Sequence, residues 1–109
     1  MKQPSSLEEL AAYVEAPGRH VFYFKADWCG DCRFIAPFLP EIEAAYPEMT
    51  FVEVDRDAFM PLAQQWDIFG IPSLVVIKDG KEIGRLVNKA RKTQADITAF
   101  LDGLERGNK

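Results

Sequence analysis

The chain has 109 residues, a formal net charge of −4 and 48% hydrophobic residues, the make-up of an ordinary globular chain with one modest core. The mild acidic balance argues against broad nucleic-acid binding, and no apolar run approaches the roughly 20 residues that span a membrane. The opening Met1-Lys2-Gln3-Pro4-Ser5-Ser6 has no apolar stretch of the secretory kind, so the expectation is a cytoplasmic, membrane-independent chain forming a single domain over residues 1–109.

Leu7, Leu10, Ala11 and Val14 fall at i, i+3, i+4 and i+7 and predict an amphipathic helix. Ser5 with Glu8, or Ser6 with Glu9, offers a capping box at its start, and Pro17-Gly18 ends it. Val21-Phe22-Tyr23-Phe24 is a short continuous run of β-formers and reads as a buried strand. A helix is predicted from about Cys29 towards Tyr46, kinked near Pro37 with Pro40 following. Phe51 to Val54 reads as a strand. Ala58 to about Gln65 reads as a short helix with Asp57 as N-cap, and Ser73 to Ile77 as a third strand. Asp79-Gly80 signals a tight hairpin, after which Lys81 to Val87 returns antiparallel. Ile97, Phe100, Leu101 and Leu104 keep the helical period in the last element, with Thr93 and Asp96 resembling a capping box. The order predicts an α/β fold: a central mixed sheet, with parallel crossovers first, an antiparallel hairpin later, and helices on both faces.

The two cysteines are too few for a disulfide scaffold, but their spacing carries chemistry. Cys29-Gly30-Asp31-Cys32 follows a buried strand and opens a helix. Free N–H groups and the helix dipole at that end favour a thiolate on Cys29, the form that attacks disulfides. Cys32 lies one turn on, within bridging distance, and is expected to be more buried and less acidic. Cys29 is then the attacking thiol and Cys32 the one that resolves the mixed disulfide. Gly30 lets a substrate backbone approach. Two other readings of the pair are half of a zinc site, for which His20 is the only other soft ligand, and two inert core cysteines. No metal and no cofactor are expected. Pro72, at the mouth of a buried strand, removes a ladder donor; a cis Ile71–Pro72 bond and a trans proline at a strand edge are both compatible with that position.

Trp28-Cys29-Gly30-x-Cys32, Ile35-Ala36-Pro37, Gly70-Ile71-Pro72-Ser73, Lys78-Asp79-Gly80 and the closing helix together resemble the thioredoxin family over nearly the whole chain. Ala26-Asp27-Trp28-Cys29-x-Asp31-Cys32-Arg33 and Val87-Asn88-Lys89 resemble, more narrowly, a bacterial branch of it. The resemblance implies the thioredoxin fold and a protein-disulfide reductase. In it Pro72 would be a cis-proline facing the dithiol, the Ile71 backbone would pair with an extended substrate segment, and Trp28 would border the docking surface. Partners implied are disulfide-containing proteins and a separate flavin reductase, a thioredoxin reductase or similar donor. The chain is expected to be a monomer. Four positions depart from the family pattern. Asp31 stands in place of a proline, Tyr23 in place of the buried aspartate, Phe51 in place of that aspartate's lysine neighbour, and Asn88 in place of a groove glycine. Asp31 and Tyr23 are therefore expected to modulate the dithiol: Asp31 by opposing ionisation of Cys29, Tyr23 because a phenol is a poor base at neutral pH.

Among the remaining residues, Trp66, Phe59 and Phe69 are expected in the core rather than in a docking patch. His20 is expected on a surface turn. Lys81, Arg85, Lys89, Arg91 and Lys92 read as a solvated basic face, or else as a steering patch for an acidic partner. Two other functional classes compete with the reductase: a thioredoxin-fold binding or redox-sensing module, and an oxidase or isomerase.

Overall fold

A strand that is apolar on both faces has to lie inside a sheet, and the run from His20 to Phe24, buried throughout, fixes where that sheet is centred. The computed structural model describes the backbone of residues 1–107 and the side chains of residues 1–104. Strand β1 is Arg19–Lys25, β2 Met49–Asp55, β3 Ser73–Lys78 and β4 Lys81–Leu86. They order β2-β1-β3-β4, with β1 parallel to β2 and antiparallel to β3, and β4 antiparallel to β3. Val21 pairs with Phe51 on one side and Val76 on the other; Tyr23 pairs with Glu53 and Leu74.

Alternation along these strands makes two cores. Val21, Tyr23, Leu74 and Val76 pack against Ile35, Ile42, Ile97 and Leu101. Phe22, Phe24, Val75 and Ile77 pack against Leu10, Ala63 and Ile68 on the opposite face. The second face is covered by α1 (Leu7–Glu15) and α4 (Met60–Gln65), the first by α2 (Gly30–Ile35), α3 (Leu39–Ala45) and α5 (Gln94–Gly107). Sheet and flanking helices agree with the predicted mixed α/β architecture.

Local chemistry accounts for most of the boundaries. Ser6 caps α1, its Oγ accepting from Glu9 N–H at 3.1 Å, while the Glu9 carboxylate turns back to the Ser5 N–H at 3.2 Å. At the β3–β4 hairpin Asp79 and Gly80 both have positive φ, 51° and 82°, the conformation of a type I′ turn. Before α5, Thr93 and Asp96 exchange reciprocal bonds of 3.1 and 2.9 Å, a complete box. The helix from Cys29 to Tyr46 is not simply kinked. Proline lacks an N–H and its ring crowds the preceding turn, and residues Ala36–Phe38 around Pro37 tighten into a 3₁₀ turn between α2 and α3.

Two expectations are corrected here. Asp57 does not cap α4, which begins later, at Met60, behind Phe59 with no side-chain cap. Asp55 Oδ1 instead takes the N–H groups of Asp57 at 2.9 Å and Ala58 at 3.2 Å, and this local turn occupies the residues that would have opened the helix. His20 is not a surface turn residue. It lies within β1, 6% exposed, between the rings of Tyr13 and Phe22.

Removing the α5 cap with Thr93→Ala should lower stability by about 1 kcal/mol, or about 4–8 °C in Tm. A thermal melt that does not move would mean the box is not holding the helix start.

Candidate active site

The end of β1 and the start of α2 place the two cysteines. Cys29 N–H donates to Ala26 O at 3.2 Å, and Arg33 N–H donates to Cys29 O at 3.1 Å. Cys29 is the N-cap of α2: its Sγ accepts the Cys32 N–H at 3.1 Å. Both thiols are free. The Ile71–Pro72 bond is cis, and the Ile71 carbonyl before it accepts from the Cys29 thiol at 3.7 Å. Ala26, Cys29, Cys32 and Ile71 form a small cluster of their own. Segments 42 residues apart in the chain thus meet at one sulfur.

The expected difference in burial between the cysteines is not found: Cys29 is 5% exposed and Cys32 4%. Their surroundings differ instead. Burial, and then the hydrogen bond with the Cys29 thiol, push the Cys32 thiol up to about 12. Tyr23, 1% exposed on β1, feels burial first and then both cysteines, and its phenol rises above its ordinary value. It is no base at neutral pH.

The surface over the dithiol is a groove of about 400 Å³ whose walls include Trp28, Gly30, Phe69, Gly70 and Lys89. A larger recess, about 570 Å³, lies between the N-terminal segment and α4, with neither cysteine in its lining; the chemistry belongs to the smaller one. Trp28 is 60% exposed, yet it is held. Its indole N–H donates to Asp57 Oδ2 at 2.6 Å, and the Arg56 guanidinium stacks 5.3 Å from its ring centroid. The indole N–H, and then Arg56, keep the Asp57 carboxyl below the usual carboxylate range. A Cβ built on Gly30 would meet nothing within 4 Å, so the fold itself does not require glycine there. A Cβ on Gly70 would collide with the Asn88 carbonyl, so the loop after β4 lies directly against the segment that touches Cys29.

Residues 3–103 match a family model described as Thioredoxin. The chain belongs to the thioredoxin family. The chain is 41% identical over 85 residues to Thioredoxin H-type 1 of Nicotiana tabacum, covering 78% of this chain and 67% of that one. It is 37% identical over 91 residues to a Thioredoxin H-type of Ricinus communis, covering 84% and 76%. A solved Plasmodium falciparum thioredoxin superposes with a TM-score of 0.80 at 27% identity, covering 97% of this chain and 98% of that one. The protein is accordingly a thiol–disulfide oxidoreductase, a protein-disulfide reductase, and Cys29 and Cys32 fit the CxxC active site of thioredoxins.

Other residues of this thioredoxin-like site correct the sequence reading. Trp66 packs edge-on against Phe22 and Phe24, and Phe59 joins the same core, as expected. Phe69 does not: it is 60% exposed and forms part of the groove. The basic run is not one solvated face. Arg85 bonds Glu82 and the Trp66 carbonyl. Arg91 bonds Asp31 at 2.9 Å and stacks 4.4 Å from the Phe34 ring centroid, and Lys92 is buried. Asp31 therefore faces a guanidinium, so its charge does not act on Cys29 unopposed. Arg56, Asp57 and Phe69 were not anticipated as site residues. Asp57 looked like a cap, and nothing in the sequence pairs it with an indole 29 positions earlier.

A thiol pushed up to about 12 stays protonated at neutral pH. Burial, the larger of its causes, persists in Cys29→Ser, so in that variant iodoacetamide should modify Cys32 far more slowly at pH 7 than it modifies a free thiol. Its rate should rise about tenfold per pH unit as the thiolate fraction grows. Peptide mapping that finds Cys32 labelled at the rate of a free thiol would contradict the assignment.

Proposed function

We propose that the protein reduces disulfides of cytosolic proteins, working as a monomeric domain over residues 1–109. Cys29 is the nucleophile. Its thiolate attacks a substrate disulfide, one Cys29–substrate S–S bond forms, and one substrate sulfur leaves as a thiolate that takes up a proton. Cys32, on losing its proton, attacks the Cys29 sulfur and releases the second substrate thiol. The substrate gains two electrons and two protons, and the protein is left with a Cys29–Cys32 disulfide. A separate flavin-dependent reductase returns those electrons.

The observation that carries this reading is the Cys29 sulfur at the N-cap of α2, 3.1 Å from the Cys32 N–H and 3.7 Å from the Ile71 carbonyl. An extended substrate strand lies along Ile71 and Pro72, with Trp28 as one border of the groove. Gly30 keeps the surface above Cys29 open to a substrate backbone. Asp31 and Tyr23 modulate the pair: Asp31 through its charge, balanced by Arg91, and Tyr23 as a neutral wall that takes no proton.

In an insulin reduction assay with dithiothreitol, Cys29→Ser should abolish turnover, and Cys32→Ser should accumulate mixed disulfides. Full turnover in Cys29→Ser, or substrate trapped on Cys32 instead, would reject the roles. Partner binding that survives replacement of both cysteines, with no turnover in the parent, would indicate a binding module instead. Gly30→Ala separates surface from fold. Tm should stay within about 2 °C, because a first-turn alanine is well tolerated, while insulin reduction slows several-fold. An unchanged rate would remove Gly30 from the docking surface.

A further inference from the structure

Lys92 takes no part in the exchange described above, yet it is only 2% exposed. Its ammonium donates to Asn88 O at 3.2 Å, Asn88 Oδ1 at 3.0 Å and Ala90 O at 2.8 Å, which engages the three N–H bonds an ammonium has. These acceptors are neutral. They satisfy the donors but leave the charge without a contact partner of opposite sign, and a buried charge in that condition is costly. The Asn88 carbonyl that holds it is the one packed against Gly70, next to the Ile71 carbonyl that touches Cys29.

The charged and titratable groups facing Lys92 are Asp31 and both cysteines around the start of α2, and Asp96 in the first turn of α5. Asp31 is paired with Arg91 at 2.9 Å. Asp96 accepts the Thr93 N–H at 2.9 Å. Lys25, the cation acting on Cys32, is bonded to Asp27 at 2.6 Å. Only Asp31 is thus paired with another charge; Asp96 and the Cys29 sulfur are each met by a neutral backbone N–H, from Thr93 and Cys32, and of these two only the sulfur loses its charge when the dithiol is oxidised.

We propose that Lys92 is a positioning residue of the dithiol: a buried ammonium, fixed by Asn88 and Ala90, that stabilises the Cys29 thiolate and so biases the dithiol–disulfide balance. It rests on the reading of Cys29 as the ionising thiol. The disulfide is neutral, so oxidation removes the anion and with it the stabilisation. Lys92 therefore favours the reduced form and makes the protein a weaker reductant than it would be without the charge. Linkage makes the effect reciprocal: the thiolate holds a proton on Lys92 against the burial that works to remove it.

The test uses the Cys32→Ser background, where ultraviolet thiolate absorbance follows Cys29 alone. Lys92→Met should raise the midpoint by about one pH unit, the scale of a neighbouring charge, and slow alkylation at pH 7 about tenfold. Lys92→Arg should stay within about threefold of the parent. A purely structural lysine would lower Tm in the methionine variant and leave the midpoint where it was; that outcome overturns the proposal. If the parent shows no thiol ionising below about pH 9, it is the reading of Cys29 that fails instead. A second measurement needs no variant. In the unmodified protein, the Lys92 side-chain carbon signal should titrate at higher pH in the reduced than in the oxidised form. Identical titrations would overturn the proposal even if Lys92→Met does not fold.

Discussion

The hydrogen bond from the Cys32 N–H to the Cys29 sulfur closes the first turn of α2 and holds that sulfur over the exposed N–H groups of the helix start. Sulfur is a weaker acceptor than the oxygens that usually cap helices, so the turn needs further anchors. Ala26 O receives the Cys29 N–H at 3.2 Å, and Asp27 O receives the Arg33 guanidinium at 2.8 Å. Both carbonyls lie just beyond β1, whose buried residues are fixed by neighbours on both sides. The position of the reacting atom therefore follows from a buried central strand of the sheet.

Around that atom lie several aspartates, and each is answered by a group from elsewhere in the chain. Asp31 meets Arg91 from the loop before α5, Asp57 meets Arg56 and the Trp28 indole, and Asp27 meets Lys25. Such exposed pairs contribute little to stability. Their effect is on the local field: the repulsion these carboxylates would exert on an anion at the dithiol is offset. Because Asp31 and Arg91 stand 60 positions apart, the charge balance at the dithiol depends on how the last loop folds onto the first helix of the site.

Features that depend on short-range chemistry were legible in the sequence. The period of Leu7 to Val14, the Asp79-Gly80 turn, the Thr93–Asp96 box and the Cys29–Cys32 spacing each concern a few consecutive residues, and the structure bears them out. The failures involve competition or distance. Asp57 has the chemistry of a cap, but Asp55 folds residues 57 and 58 into a turn by taking their N–H groups, and the helix opens later. His20 is polar enough for a turn, but β1 extends past it and buries it with Tyr13 and Phe22. Phe69 and Lys92 exchange the environments their side chains suggest: the aromatic is exposed at the groove and the cation is buried. The loop after β4, packed on Gly70, supplies the carbonyls that hold Lys92 inside, a long-range arrangement that no local pattern announces.

The two outer strands close the sheet differently. On the β2 side, Lys2 forms a single parallel bridge with Val52, donating to Phe51 O at 2.9 Å and accepting from Glu53 N–H at 2.8 Å. On the β4 side nothing pairs with the strand among the described residues, but it carries Lys81, Glu82 and Arg85, and its ladder with β3 is irregular at Val76/Ile77. Charges and a break in register are poor templates for another chain's strand. The sheet thus offers little along its outer strands for an extended segment to add to, so the docking proposed at Ile71 meets no competing strand-like site there, and an arriving segment is left to the place where a sulfur is waiting.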